Sequence, residues 1–247
     1  MDTSIIARTT VVHVLHRAGG APLATSFRRA AFGRNDPFAR QREIAWEGPG
    51  HMATGRASFI GELDVASFPH TETLVVIEGE LLLAPAGGEA LRVGPNAGAV
   101  IARGTRVRIE ASSRVTFAWC AAQGESAAQT GIAPLRANAN FKPSSPPPSE
   151  TLLGPVPQCR SDNVFTDDKS LYRAGTWDST GYHRIVRPHP VNEFMHLLAG
   201  TVHLAGVDGS VITASAGDTV FVPRDTAIGW ESRERVAKFY GIQQLNA

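Results

Sequence analysis

Three side chains in the second half of the chain combine chemically useful types with a spacing that groups them. Arg187, His189 and Glu193 share one face of an extended segment, because successive side chains of a strand point to opposite faces. An imidazole and a carboxylate suit Mn, Fe, Zn or Ni. A guanidinium has only donors, so Arg187 could hold an anionic substrate group or neutralise Glu193 inside the protein.

Aromatic and basic side chains near these residues extend the candidate site. Trp177 and Trp230 could form walls of a pocket or pack in the core. Lys238 lies within the apolar stretch 236–242, where it either enters a cavity beside Glu193 or a bound anion, or points outward on an edge strand. The candidate ligand-binding residues are therefore Arg187, His189, Glu193, Trp177, Trp230 and Lys238, with His189 and Glu193 as candidate metal ligands.

Strands must position these residues. Short runs rich in Val, Ile, Phe and Leu are separated by Gly, Pro and the Asp208-Gly209 pair, which suits a tight hairpin turn. Helical periodicity is nearly absent. The pattern predicts an all-β protein built from antiparallel sheets.

The first half of the chain repeats the order of the second. When Glu72 is aligned with Glu193, a glycine follows seven positions later in both halves, at Gly79 and Gly200. The repeat predicts two similar barrels. His70 and Glu72 then form the corresponding polar pair of the first barrel, which is either a scaffold or a second ligand pocket.

The predicted domain boundaries follow from this repeat. Residues 1–36 form an N-terminal extension, 37–124 the first barrel, 125–160 a Pro-rich linker and 161–247 the second barrel. The linker includes a segment, 142–149, that contains four prolines and predicts an extended strap. In the N-terminal extension, Val11, Val12, Val14 and Leu15 could add an edge strand to a barrel.

Composition excludes several classes of partner. The net charge is +1 with acidic and basic residues dispersed along the chain, so no nucleic acid is expected to bind. The first twenty residues contain charged side chains and are followed by no run of eighteen apolar residues, so no membrane is expected either. We expect the protein to be cytoplasmic and its binding partner to be a small molecule. Cys120 and Cys159 are too few for a disulfide framework or a thiolate metal site, and are expected to be buried thiols or at most a single bridge.

Two motifs resemble those of the cupin superfamily. The first runs from Gly181 through Arg187, His189 and Glu193 to Gly200, and the second from Gly217 to Pro223 and Asp225. The resemblance implies two tandem jelly-roll barrels of the RmlC-like type, a bicupin, and makes a homo-oligomer the expected assembly.

Within the cupins, the second half resembles the subgroup of ureidoglycine aminohydrolase and ethanolamine-utilisation proteins. The aminohydrolase relatives bind manganese through a Glu, two His and a Gln, and release ammonia from a ureido amine. Carried over by position, their ligands fall on Arg187, His189, Glu193 and Ile228. Arg187 and Ile228 cannot coordinate a metal, so the metal centre is degenerate in this chain.

Three functions remain open from the sequence. The first is a small-molecule-binding bicupin that holds a polar or anionic metabolite in its C-terminal barrel and needs no cofactor. The second is a metal-dependent enzyme of the aminohydrolase type, with a divalent metal (Mn, Fe, Zn or Ni) on His189 and Glu193. The third is a non-catalytic assembly protein. The fold alone does not choose among them.

Overall fold

The structure is a computed structural model that describes residues 11–126 and 128–245. Residues 1–10 of the expected N-terminal extension, residue 127 of the linker and residues 246–247 of the second barrel lie outside the described residues. Secondary structure is almost entirely β. Besides the strands, the described residues contain the short 3-10 helices Pro49–His51 and Ser149–Thr151.

Strands of the first half and the linker are β1 (His13–His16), β2 (Arg28–Arg29), β3 (Arg42–Gly48), β4 (Met52–Val65), β5 (Thr71–Glu78), β6 (Leu81–Pro85), β7 (Leu91–Val93), β8 (Gly98–Ile101), β9 (Val107–Ala122), β10 (Ile132–Leu135) and β11 (Lys142–Ser144). Strands of the second half are β12 (Cys159–Asp167), β13 (Tyr172–Ser179), β14 (Tyr182–Pro188), β15 (Asn192–Ala199), β16 (Thr201–Ala205), β17 (Val211–Ser215), β18 (Thr219–Val222), β19 (Ala227–Ser232) and β20 (Val236–Gln243).

These strands form three sheets. A nine-stranded sheet has the order β10-β8-β5-β9-β4-β3-β2, with β6 paired to β9 and β7 to β6. In the second half, a seven-stranded sheet in the order β1-β18-β15-β20-β13-β12-β11 faces a four-stranded sheet in the order β14-β19-β16-β17. All strand pairs within them are antiparallel, for example β15 with β18 and β20. The all-β fold predicted from the sequence is confirmed.

Alternate side chains of a strand face opposite sides of its sheet, and the buried ones form three apolar clusters. One fills the first half around Phe38, Phe117 and Trp119. Another fills the space between the seven- and four-stranded sheets, where Met195 of β15 meets Ile228 of β19. We call that space the C-terminal lumen. Between the halves, a third cluster joins the outer faces of their large sheets.

The two halves place corresponding residues at equivalent points of their sheets. Glu72 lies opposite Ile101, and Glu193 opposite Val222. Gly79 and Gly200 each adopt a positive φ, 80° and 75°. A Cβ there would approach a backbone carbonyl oxygen to 2.5 Å at Gly79 and to 2.3 Å at Gly200, so both turns require glycine.

Segments outside the two predicted barrels add edge strands to the sheets. β1 pairs with β18, as the apolar pattern around Val14 suggested, and Leu15 packs between the two halves. From the linker, β10 pairs with β8 and β11 with β12. Pro143 of the Pro-rich strap lies in β11, because an edge strand tolerates a proline on its unpaired side.

A buried hydroxyl connects the halves. The Tyr172 hydroxyl donates to Thr73 Oγ1 at 2.8 Å and contacts Cys120 Sγ at 3.1 Å. Burial raises the pKa of Tyr172 well above its ordinary value. Cys120 and Cys159 are both free and buried, so neither forms a bridge. No helix in the described part of the chain has the length and apolarity needed to cross a membrane.

We expect Tyr172→Phe to lower the free energy of unfolding by about 1 kcal/mol, because it removes one buried hydrogen bond and leaves the packing intact. Urea unfolding of both proteins measures this. The slope of the free energy against urea should not change, since the same surface is exposed on unfolding. An equally stable variant would show that the hydroxyl contributes nothing to the contact between the halves.

Candidate functional site

The C-terminal lumen collects polar side chains from strands of both its sheets. On β15, Glu193, Met195 and Leu197 face inward, while Phe194 and His196 face the other half of the protein. This is the alternation that the sequence predicted. Lys238 on β20 lies beside Leu197 and opposite Trp177 of β13, so its side chain also enters the lumen.

A three-residue ionic centre forms in this lumen. Glu193 Oε2 lies 2.9 Å from His189 Nε2, and its Oε1 accepts from Lys238 Nζ at 2.9 Å. The side chains are only slightly exposed: 9% for His189, 13% for Glu193 and 7% for Lys238. Burial alone would raise the pKa of Glu193, but the Lys238 charge and the His189 hydrogen bond outweigh it and hold that pKa well below its ordinary value.

Aromatic rings enclose the ammonium of this centre. Lys238 Nζ lies 4.7 Å from the Trp177 ring centroid and 4.9 Å from that of Trp230, within the range of cation–π attraction. Tyr182 stacks on Trp230 with centroids 5.5 Å apart. Trp177 and Trp230 are thus both core residues and walls of the lumen, which unites the two interpretations that the sequence left open.

A second group of cations comes from β14. Between Arg184 and Arg187 the register of β14 against β19 shifts by one residue, and Ile185 and Val186 are both exposed there. The bulge turns both arginines inward. Arg187 is half-buried opposite Ile228, whereas Arg184 is 7% exposed.

Arg184 is the site residue that the sequence did not reveal, since strict alternation from Arg187 places it on the outer face. Its Nη2 donates to the Ile228 carbonyl at 3.3 Å, while its buried Nε has no hydrogen-bond partner. Burial lowers the pKa of Arg184, and the positive charge of Arg187 lowers it further. Arg187 forms no hydrogen bond or ion pair with any residue that the structure describes.

The donor set does not fit a divalent metal. His189 and Glu193 are the two ligating side chains that come together, and they bond to each other and to Lys238. Arg187 and Ile228 face each other across β14 and β19, and neither can coordinate. In the described residues, no group of three or more His, Cys, Asp or Glu side chains is arranged to hold a metal ion.

The corresponding pair in the first half is sealed in the core. His70 Nε2 lies 2.8 Å from Glu72 Oε2, which also accepts from Arg42 Nη2 at 2.9 Å. Arg42 makes two further bonds to Asp36, and its guanidinium lies 4.0 Å from the Trp119 ring centroid. All these ionic side chains are fully buried, so the geometry favours a scaffold role for His70 and Glu72 over a second pocket.

A groove runs along the outer face of the four-stranded sheet. It has a volume of about 530 Å³ and includes aliphatic residues such as Ile185 and Val211. His183 and His203 flank Glu231 on this face. These histidines point away from the ionic centre. Arg184 also lines this groove, whereas Glu193 and Lys238 do not.

The paired sheets, the motif glycines and the inward-facing His189 and Glu193 together define a cupin with a jelly-roll fold. A family model described as the EutQ-like cupin domain matches residues 168–240. A crystal structure of a protein of unknown function from Pseudomonas syringae pv. tomato, of the DUF861 family, is 38% identical, with 95% of this chain and 100% of that chain covered and a TM-score of 0.91. The chain therefore belongs to the DUF861 family of cupins.

More distant solved structures share the fold. The putative glyoxylate-induced protein of Pseudomonas aeruginosa is 13% identical, with 94% of this chain and 96% of that chain covered and a TM-score of 0.57. Protein Ylba of E. coli, also assigned to DUF861, is 9% identical, with 98% and 96% covered and a TM-score of 0.54. No protein with a curated description matches the sequence significantly.

Proposed function

We propose that this cupin binds a small anionic metabolite in its C-terminal lumen. The observation that carries the proposal is an excess of buried positive charge. Arg184, Arg187 and Lys238 face Glu193, the one carboxylate among the described lumen residues, and Lys238 already neutralises it. The two arginines therefore lack an anionic partner.

Buried cations are costly unless they are paired and hydrogen-bonded. The partnerless Nε of Arg184 and the unbonded guanidinium of Arg187 supply donors to a carboxylate or phosphate group. The flat faces of Trp177 and Tyr182 are half-buried in the same lumen and suit the apolar part of a small metabolite. The ligand we infer is thus an organic acid small enough to enter one barrel.

The two halves have different roles in this proposal. We infer a bicupin in which the N-terminal barrel is a scaffold, because its interior is filled by the buried network around Arg42. The C-terminal barrel keeps partly exposed polar groups in its lumen and is the binding barrel. A metal-dependent aminohydrolase reaction is less well supported, because His189 and Glu193 lack further ligands.

A ligand screen tests the proposal. We expect particular mono- or dicarboxylates to raise the melting temperature of the wild-type protein, because a ligand that binds only the folded state stabilises it. Titration calorimetry then gives the dissociation constant. We expect Arg187→Gln to weaken binding by about tenfold to a hundredfold, the effect of losing one charged hydrogen bond of 1.5–3 kcal/mol.

Arg233→Gln is the matched control. Arg233 lines the outer groove and is 87% exposed, so its replacement should leave lumen binding unchanged. If Arg233→Gln abolishes binding and Arg187→Gln does not, the anion binds in the outer groove and the proposal is wrong. If no organic anion binds the wild-type protein, the assembly role gains support instead.

A further inference from the structure

We propose that the ammonium group of Lys238 occupies the place of the metal ion in the C-terminal barrel. The centre that cupins complete with a divalent metal would here be completed by a cation of the protein itself. This barrel would then hold no metal at the centre. The inference concerns the centre and does not depend on which anion the lumen binds.

The first argument is that both oxygens of the Glu193 carboxylate already bond to side chains of the protein. One oxygen is 2.9 Å from His189 Nε2 and the other is 2.9 Å from Lys238 Nζ. A metal held between His189 Nε2 and Glu193 would need that nitrogen and would compete with both existing bonds for the carboxylate. It could bind only after Lys238 had left and the His189 hydrogen bond had broken.

The second argument is that Lys238 is held where it is. Its ammonium also contacts Met195 Sδ at 3.1 Å and lies over the rings of both Trp177 and Trp230. Indole faces attract a cation, so they stabilise the charged ammonium of Lys238. They would not stabilise a neutral amine that could bind a metal. The Lys238 side chain is only 7% exposed, so its departure would leave Glu193 buried without its counter-ion.

The third argument is electrostatic. Arg184 and Arg187 stand on the opposite wall of the lumen, and the charges of Arg187 and Glu193 both act on Arg184. A divalent cation entering beside them would meet two fixed positive charges in a region shielded from water. The single negative charge of Glu193 cannot neutralise a divalent cation in addition to Lys238.

The first half of the chain gives independent support. Glu72, the counterpart of Glu193, also bonds to a histidine at 2.8 Å and to a protein cation, Arg42, at 2.9 Å. That cation comes from β3, whereas Lys238 comes from β20. Both halves therefore complete the same histidine and carboxylate pair with a buried basic side chain, supplied from different strands.

Metal binding to the full-length protein tests the inference. Chelator-treated wild-type protein is mixed with Zn²⁺, Mn²⁺ or Co²⁺, and bound metal and melting temperature are measured. We expect the wild-type protein to bind no metal through Glu193. We also expect its melting temperature to be the same with and without added metal. Lys238→Met removes the ammonium with little change in volume. In this variant we expect Co²⁺ to bind with visible absorption and to raise the melting temperature, and the double variant Lys238→Met/Glu193→Gln to lose both effects.

Two results would overturn the inference. One is stoichiometric metal in the wild-type protein that Glu193→Gln abolishes, a comparison that holds even if Lys238→Met does not fold. The other is a folded Lys238→Met protein that takes up no more metal than the wild type. Anion binding measured with Arg187→Gln is a separate assay, so failure of the lumen-binding proposal is distinguishable from failure here.

Discussion

Replacing Arg42 by methionine should lower the free energy of unfolding by about 3–5 kcal/mol at pH 7, the cost of breaking a buried ion pair by removing one partner. Arg42 is fully buried and bonds to Asp36 at 2.7 Å and to Glu72 at 2.9 Å. Its loss leaves two carboxylates facing each other inside the core. The cation–π contact with Trp119 disappears as well.

The control for this variant is Arg92→Met. Arg92 forms an ion pair with Glu80 at 2.6 Å, but their side chains are 69% and 54% exposed. Such surface pairs contribute about 0–1 kcal/mol, so this variant should unfold nearly like the wild type. Urea denaturation monitored by tryptophan fluorescence measures both. Equal losses in the two variants would refute the structural importance of the buried network.

Glu193→Gln should lower the free energy of unfolding by about 3 kcal/mol at pH 7, because it leaves Lys238 buried without its anionic partner. Glutamine has almost the same shape as glutamate, so the loss reports charge more than packing. The surface control is Glu80→Gln, which removes the acidic partner of Arg92 and should change stability by less than about 1 kcal/mol. A Glu193→Gln protein as stable as the wild type would show that the centre is not an ion pair.

The effect of Glu193→Gln should depend on pH. The pKa of Glu193 is held well below its ordinary value of 4.5 in the folded protein, so the unfolded chain takes up a proton first as the pH falls. The stabilisation is therefore complete above about pH 5 and declines below pH 4.5 towards the folded pKa. The difference between wild type and variant, measured from pH 7 to pH 3, should shrink only below pH 4.5. A constant difference would contradict the shift.

The two halves show how similar motif residues acquire different roles. Glu72 and Glu193 occupy corresponding points of their sheets, and each bonds to a histidine. Around Glu72 the aromatic side chains and Arg42 leave no exposed surface, whereas Glu193 remains 13% exposed beside Arg184 and Arg187. The surrounding strands, and not the motif itself, decide which of the two carboxylates stays partly exposed.

Much of the site was predictable because it depends on features of short stretches of the chain. The alternation that sends Glu193 and Met195 inward is a property of any extended strand, and the glycines at positions 79 and 200 mark turns that only glycine fits. The all-β class and the edge strand near Val14 followed from the same periodicity. The sequence by itself thus determined the strands, their facing sides and the meeting of His189 with Glu193.

Only the tertiary structure decided how charge is arranged around that pair. Arg184 enters the lumen because a bulge shifts β14 by one residue against β19, a pairing with no local signal. Lys238 could have pointed outward, and its direction became clear only when β20 was placed between β13 and β15. Arg42 reaches Glu72 across 30 residues of chain. Such contacts depend on register between distant strands, because a shift of one residue turns a side chain to the opposite face.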